Sequence, residues 1–295
     1  MSLKPVHALL AILVAAIWGF SFVVIKVGVS TAPPLLLTGL RFLFAAFPAV
    51  FFVRRPTARW PYVAGYGLFI GIIQFGLLFI ALKQGLPAGL ASVVIQSQVF
   101  LTMGLAAVLF GERLKPIQLA GALLAISGIA LIAWTRWTGA ALGPLLLVLF
   151  AALSWSFGNM LSKRSGETNP LGFIVWASVV APLPLFVLSA LTEDHATILR
   201  TLTDPTWLSL GSVLFLAWPA TILGFGSWSW LLGRYPANQV SPFALLVPVF
   251  GLAGGIGLLG EEVQPLALAG SLLVLGGLVL TVLGPRIFGR QTAHP

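Results

Sequence analysis

The groups that could relay protons, hold a metal or act as acid and base are few in this sequence, and they stand apart. No Asp, Glu or His falls in the middle of a long apolar run: Glu112, Glu261 and Glu262 lie at run ends, and His7, His195 and His294 lie at ends or in connectors. They form no cluster at motif spacing, so neither an acid–base pair nor a catalytic residue is identified. The absence of cysteine excludes a disulfide framework and a thiolate metal site. No metal or cofactor is expected.

What remains for binding is amides, backbone dipoles and aromatic faces. Gln74, Gln96, Gln98 and Asn159 lie deep in apolar runs, where an unpaired amide is expensive and turns toward a neighbour or a wet cavity. Ser92, Gln96, Val99 and Met103 repeat at helical spacing and give one face a polar, soft lining. Trp155 shares a face with Asn159, Trp218, Thr221, Phe225 and Trp228 form a stripe, and Phe79 adds another deep ring. Such a set can hold a zwitterion through amides and helix dipoles, and its side chain through aromatic surface. The expected substrate-binding residues are therefore Gln74, Phe79, Gln96, Met103, Trp155, Asn159, Trp218, Phe225 and Trp228. For any single aromatic, packing or lipid contact explains the position at least as well. Arg41 is the one cation clearly at depth, and its expected role is structural, bonded to backbone carbonyls or reaching for the interface. A single deep cation also argues against phosphate or nucleotide-sugar substrates.

The elements that must position these residues follow from composition. Of 295 residues, 59% are hydrophobic and 8% charged, against about 25% charged in a soluble domain. A membrane helix needs roughly 20 apolar residues to cross about 30 Å of hydrocarbon. Ten runs qualify, at about 6–26, 34–53, 62–82, 88–110, 116–135, 141–161, 171–191, 207–231, 237–259 and 265–285. Several begin near a proline (Pro33, Pro87, Pro116, Pro236, Pro265), where the missing N–H costs little. Long unbroken runs exclude a β-barrel. The first run resembles a signal peptide, but it continues past Trp18 to Lys26 without a clear cleavage site, and is read as a span. Trp60, Trp134, Trp137 and Trp207 sit at span ends as interfacial anchors.

Charge orients the bundle. The net charge of +9 could suggest nucleic acid, but the basic residues fall between spans, so no nucleic-acid partner is expected; the partners are membrane lipid and a small molecule. With the N-terminus inside, eleven basic residues (Lys4, Arg54, Arg55, Arg59, Arg113, Lys115, Lys163, Arg164, Arg234, Arg286, Arg290) are inside and four (Lys26, Lys83, Arg136, Arg200) outside. Both termini are then cytoplasmic.

An internal repeat sets the architecture. A shift of 149 residues carries Pro87-Ala88 onto Pro236-Ala237, Ser92 onto Ser241, Gly111-Glu112 onto Gly260-Glu261, Pro116 onto Pro265, and Leu119-Ala120-Gly121 onto Leu268-Ala269-Gly270. Each half, 1–136 and 137–295, holds five spans. An odd number inverts the second half, so the expected fold is all-α and integral to the membrane, with ten transmembrane helices as two inverted five-helix repeats. Inverted repeats let secondary transporters expose one central site to either side. Hinges are expected at Gly67, Gly71, Pro219, Gly224, Pro242 and Pro248, though glycines also serve close packing.

The run Ala16-Ile17-Trp18-Gly19-Phe20-Ser21-Phe22 ending in Lys26, the run Gly111-Glu112-Arg113-Leu114 with Gln118 and Gly121, and Pro248-Val249-Phe250 before Glu261 resemble the EamA family of the drug/metabolite transporter superfamily. The chain is most similar to bacterial exporters of aromatic and other neutral amino acids. The resemblance implies a multi-pass transporter of the bacterial inner membrane, not an enzyme. Val99 stands where the second half has Pro248, so a hinge there is not symmetric. The alternatives are a multidrug or nucleobase exporter of the same superfamily, a membrane-embedded enzyme, or a channel. A chain with its own pseudo-two-fold is compatible with a working monomer.

Overall fold

The computed structural model describes residues 3–136 and 142–287, with side chains at 237, 238, 286 and 287 left aside. Trp137, Arg290 and His294 lie outside the described residues. Within them are ten helices long and apolar enough to cross a membrane: α1 (Pro5–Thr31), α2 (Pro34–Phe51), α3 (Trp60–Lys83), α4 (Ala88–Phe110), α5 (Pro116–Thr135), α6 (Leu142–Ser165), α7 (Pro170–Thr192), α8 (Trp207–Arg234), α9 (Ser241–Leu259) and α10 (Pro265–Pro285). Large apolar side chains such as Leu123, Ile126, Trp134, Phe150 and Leu183 are exposed on the outside of the bundle, as a lipid-facing surface requires. The helix α1 continues past Lys26 to Thr31. The Lys26 ammonium donates to the carbonyls of Leu82 (2.8 Å) at the end of α3 and Leu86 (3.2 Å) in the connector that follows.

Contacts between span ends define two faces. The start of α1 meets the end of α8 where His7 pairs with the Tyr235 hydroxyl at 2.6 Å, and the start of α5 meets the end of α10 where Gly284 packs on Ile117. The described chain thus begins and ends on one face, the terminal face. On the far face, two carboxylates cap helix starts. Leu35 and Leu36 of α2 donate backbone N–H groups to Glu193 at 2.7 and 3.1 Å. Ala88 and Gly89 of α4 donate to Glu261 at 2.5 and 2.9 Å. Both satisfy first-turn donors that have no partner within their own helix.

The α5–α10 pair runs antiparallel and meets backbone to backbone. Gly121 faces the Gly277 carbonyl and Gly128 faces that of Gly270, and the same contacts hold from the other side. Four glycines make this approach possible, because a Cβ at any of them would strike the partner's main chain.

Several spans are not regular α-helices. Gly67–Gln74 in α3 and Leu216–Leu223 in α8 are π-helical, and α9 opens with a 3₁₀ segment, Ser241–Leu245. In α4 the backbone tightens at Ile95–Gln96, where Gln96, Gln98 and Val99 each donate to the residue three before. The cause in α8 is partly local: Pro219 lies inside the π segment and has no N–H to give. The carbonyl of Ala220 accepts the Trp18 indole N–H at 2.9 Å. Both α4 and α9 end on a left-handed glycine, Gly111 (φ 68°) and Gly260 (φ 62°), a conformation that favours glycine.

Candidate functional site

The irregular segments surround a central cavity of about 370 Å³, within the range of small-ligand sites. Its walls come from α1, α2, α3, α4, α6, α8, α9 and α10. Toward the terminal face the lining reaches Tyr66 near the start of α3, Ser241 at the start of α9 and Val282 near the end of α10; toward the far face it stops at Ile25 and Leu78. Beyond these, Val29, Leu37, Phe79, Leu82 and Leu86, each at most 2% exposed, fill the space between the cavity and the far face. Lys26 and Glu261 then tie the ends of α1, α3, α4 and α9 together across that plug.

Aromatic rings form much of the wall. Trp18 stands 5.1 Å from Phe225 and 5.3 Å from Trp228 between ring centroids. The polar groups divide into tied and free. Asn159 donates to Gln98 Oε1 (3.0 Å) and Thr102 Oγ1 (3.1 Å), and Ser156 donates to the Gln98 carbonyl at 3.1 Å, which fixes α6 against α4. Gln74 is 1% exposed, lines the cavity, and has no partner at either amide atom.

Arg41 departs from the expectation of a backbone-bound or snorkelling residue. It is 3% exposed and lines the cavity. Its Nη2 donates to Thr221 Oγ1 at 3.0 Å, and its Nε has no partner. Its Cζ lies 4.1 Å from the Phe75 ring centroid and 4.9 Å from that of Phe42. Among the described residues no backbone carbonyl accepts from it.

Of the residues expected to bind substrate, Gln74, Gln96, Trp155, Asn159, Phe225 and Trp228 are brought together on the cavity wall. Three are not. Phe79 is fully buried in the plug, edge-on to Phe75. Met103 does not line the cavity, because the tightened turn at Ile95–Gln96 rotates the rest of α4 away from the register that regular helical spacing assumes. Trp218 is 47% exposed on the bundle's outer surface, where its indole N–H donates to the Phe44 carbonyl at 3.1 Å. The π segment between Trp218 and Phe225 has a wider turn, so the stripe read from α-helical periodicity splits between two faces.

The expected hinges lie at these irregularities or at tight contacts. Gly67 and Gly71, inside the α3 π segment, pack on Ala177, Val180 and Ala181 of α7. Pro219 is in the α8 π segment, and Gly224 follows it against the Trp18 indole. Pro242 belongs to the 3₁₀ segment of α9, and the buried Pro248 accepts from Ser92 Oγ at 3.4 Å. The sequence reading missed Arg41 and Tyr66 as lining residues, and it missed both π segments. A lone Arg in the middle of an apolar run was the available signal for the first.

Comparison with known proteins agrees with this architecture. A model of the EamA-like transporter family matches residues 6–134 and again residues 142–283. A probable amino-acid metabolite efflux pump of Salmonella typhimurium is 46% identical over 97% of both chains. A protein of the same description from Escherichia coli is 44% identical, covering 94% of this chain and 95% of that one. A probable terminal-alkyne amino-acid exporter of Streptantibioticus cattleyicolor is 30% identical over 98% and 96%. One crystal structure superimposes with a TM-score of 0.64 at 20% identity, covering 96% of this chain and 99% of the other. Two family matches spanning nearly the whole chain, on a ten-helix bundle around a central cavity, mean that this protein belongs to the EamA-like transporter family.

Proposed function

We propose that this protein exports small neutral or zwitterionic metabolites, aromatic and other neutral amino acids foremost, across a bacterial inner membrane. The observation that carries the reading is the aromatic, amide-bearing cavity, lined toward the terminal face and plugged on the far face. Relatives described as amino-acid efflux pumps and an amino-acid exporter support the substrate class, and a relative described as an inner membrane transporter supports the location. The excess of basic residues on the terminal face supports a cytoplasmic position for both termini.

The transport cycle is alternating access between two inverted halves, 1–136 and 137–295. Supporting this, the two π segments, Gly67–Gln74 and Leu216–Leu223, are separated by the 149-residue shift that relates the sequence halves, and so are Gly111 and Gly260. The antiparallel glycine contacts of α5 and α10 exchange with one another under the same shift. Under it the plug residue Phe79 corresponds to the cavity residue Trp228. In the opposite state, Phe79 would then line a cavity opening to the far face. Among the described residues no Asp or Glu lines the cavity, which supports movement down a substrate gradient without an embedded acidic relay.

Counterflow of radiolabelled phenylalanine, leucine and other neutral amino acids into proteoliposomes, against empty liposomes, tests the function. Saturable, competed uptake is the expected result. No uptake of any amino acid would overturn the substrate class, and strict dependence on a proton gradient would overturn the uncoupled cycle.

A further inference from the structure

Resting on the exporter reading, we infer that Arg41, with the Gln74 amide lining the same cavity, is the receptor for a substrate carboxylate. A guanidinium stays ionised under all ordinary conditions. Burying one without a counter-ion inside a membrane protein carries a large desolvation cost, and such residues persist where they pair or mark a pathway. Arg41 is 3% exposed, yet among the described residues no Asp or Glu lines its cavity and its one hydrogen bond goes to a neutral hydroxyl, Thr221 Oγ1. The faces of Phe75 and Phe42 compensate part of the charge. They satisfy none of its N–H donors, and Nε remains unpartnered.

Gln74 repeats the pattern independently. It is 1% exposed, and both of its amide atoms are unpaired. Buried polar groups are normally satisfied, so two under-satisfied side chains in one cavity point to a ligand that brings acceptors for the Arg41 and Gln74 N–H groups and a donor, such as an ammonium, for Gln74 Oε1. A single carboxylate fits: it carries one negative charge for one cation, and its two oxygens match the donor fork of a guanidinium. A phosphate monoester would bring more charge than this wall neutralises. The remaining rings, Trp18, Trp155, Phe225 and Trp228, suit an apolar substrate body. Specificity follows from the pairing. Amino acids are bound, whereas their amides and the corresponding amines leave Arg41 buried and unpaired.

Binding to the purified full chain is read by quenching of tryptophan fluorescence and by thermal shift, with phenylalanine, phenylalaninamide and phenethylamine as probes. Flux is read separately by counterflow. The wild type should bind phenylalanine at least tenfold tighter than the amide or the amine. Arg41→Gln should abolish that preference, Arg41→Lys should keep part of it, and Gln74→Leu should weaken phenylalanine binding more than amide binding. The preference is a ratio within one variant, so a general loss of folding does not mimic it. If the exporter reading fails but the inference holds, the wild type shows Arg41-dependent carboxylate preference without flux. Equal binding of acid and amide by the wild type, a preference that survives Arg41→Gln, or no binding of any probe would each overturn the inference.

Discussion

Glu261→Gln should unseal the far face. In the structure this carboxylate accepts backbone N–H groups of Ala88 and Gly89 at 2.5 and 2.9 Å, so it holds the end of α9 against the start of α4. Hydrogen bonds to an ionised group contribute roughly 1.5–3 kcal/mol each. Glutamine keeps one acceptor but loses the charge that faces a helix N-terminus, so a net loss of about 2 kcal/mol is expected. At about 1.4 kcal/mol per factor of ten, the ratio of far-face-closed to far-face-open molecules falls roughly thirtyfold. The chain contains no cysteine, so a single introduced thiol reports without background. Ser92 is fully buried, and its repeat counterpart Ser241 lines the cavity. In detergent, a thiol-reactive maleimide should label Ser92→Cys slowly in the parent and many-fold faster with Glu261→Gln added. Labelling of Ser241→Cys should fall in parallel, since one population grows at the other's expense. Unchanged rates at both reporters in a folded double variant would refute both the latch and the two-state reading behind it.

Other outcomes follow from single contacts. Gly128→Leu and Gly270→Leu should each lower the thermal midpoint strongly, because overpacking of about 1–3 kcal/mol is the least that a side chain against the facing carbonyl costs; Gly104→Ala, whose added Cβ meets nothing within 4 Å, should not lower it by the same measurement. Trp155→Ala should reduce counterflow at least tenfold, whereas Trp218→Leu, altering a residue on the outer surface, should leave it within about twofold. The Glu167 carboxyl, in the connector before α7, is held below its ordinary value of 4.5: partial desolvation pushes it up, but hydrogen bonds from the Asn169 and Ala58 N–H groups and the Thr57 hydroxyl outweigh that. A lowered carboxyl stabilises the fold above its unfolded value, and that contribution is lost as pH falls through the folded one. Glu167→Gln should therefore lower the thermal midpoint at neutral pH, with the gap to wild type closing on acidification.

The sequence by itself determined what hydrophobicity and local stereochemistry control. Ten runs of apolar residues have no stable alternative to helices in lipid, and their number and near-boundaries match the ten spans. The Gly-Glu pairs at Gly111 and Gly260 marked two helix ends, because left-handed backbone selects glycine wherever it occurs. Mid-run amides at Gln74, Gln96 and Asn159 were legible as cavity residues, since an amide at that depth turns from lipid toward a polar neighbour or a cavity.

Tertiary structure decided which face each side chain presents. Regular helical spacing put Trp218 and Met103 with the cavity residues, but a π segment and a tightened turn rotate them out of it. Phe79 lies in the plug rather than on the cavity wall, at a far face where Glu261 and Lys26 bond to residues far away in the chain. For Arg41, the sequence showed a cation at depth. Only the packed bundle showed that, among the described residues, no carboxylate and no backbone carbonyl pairs with it, because the absence of a partner is a property of all the surrounding helices together.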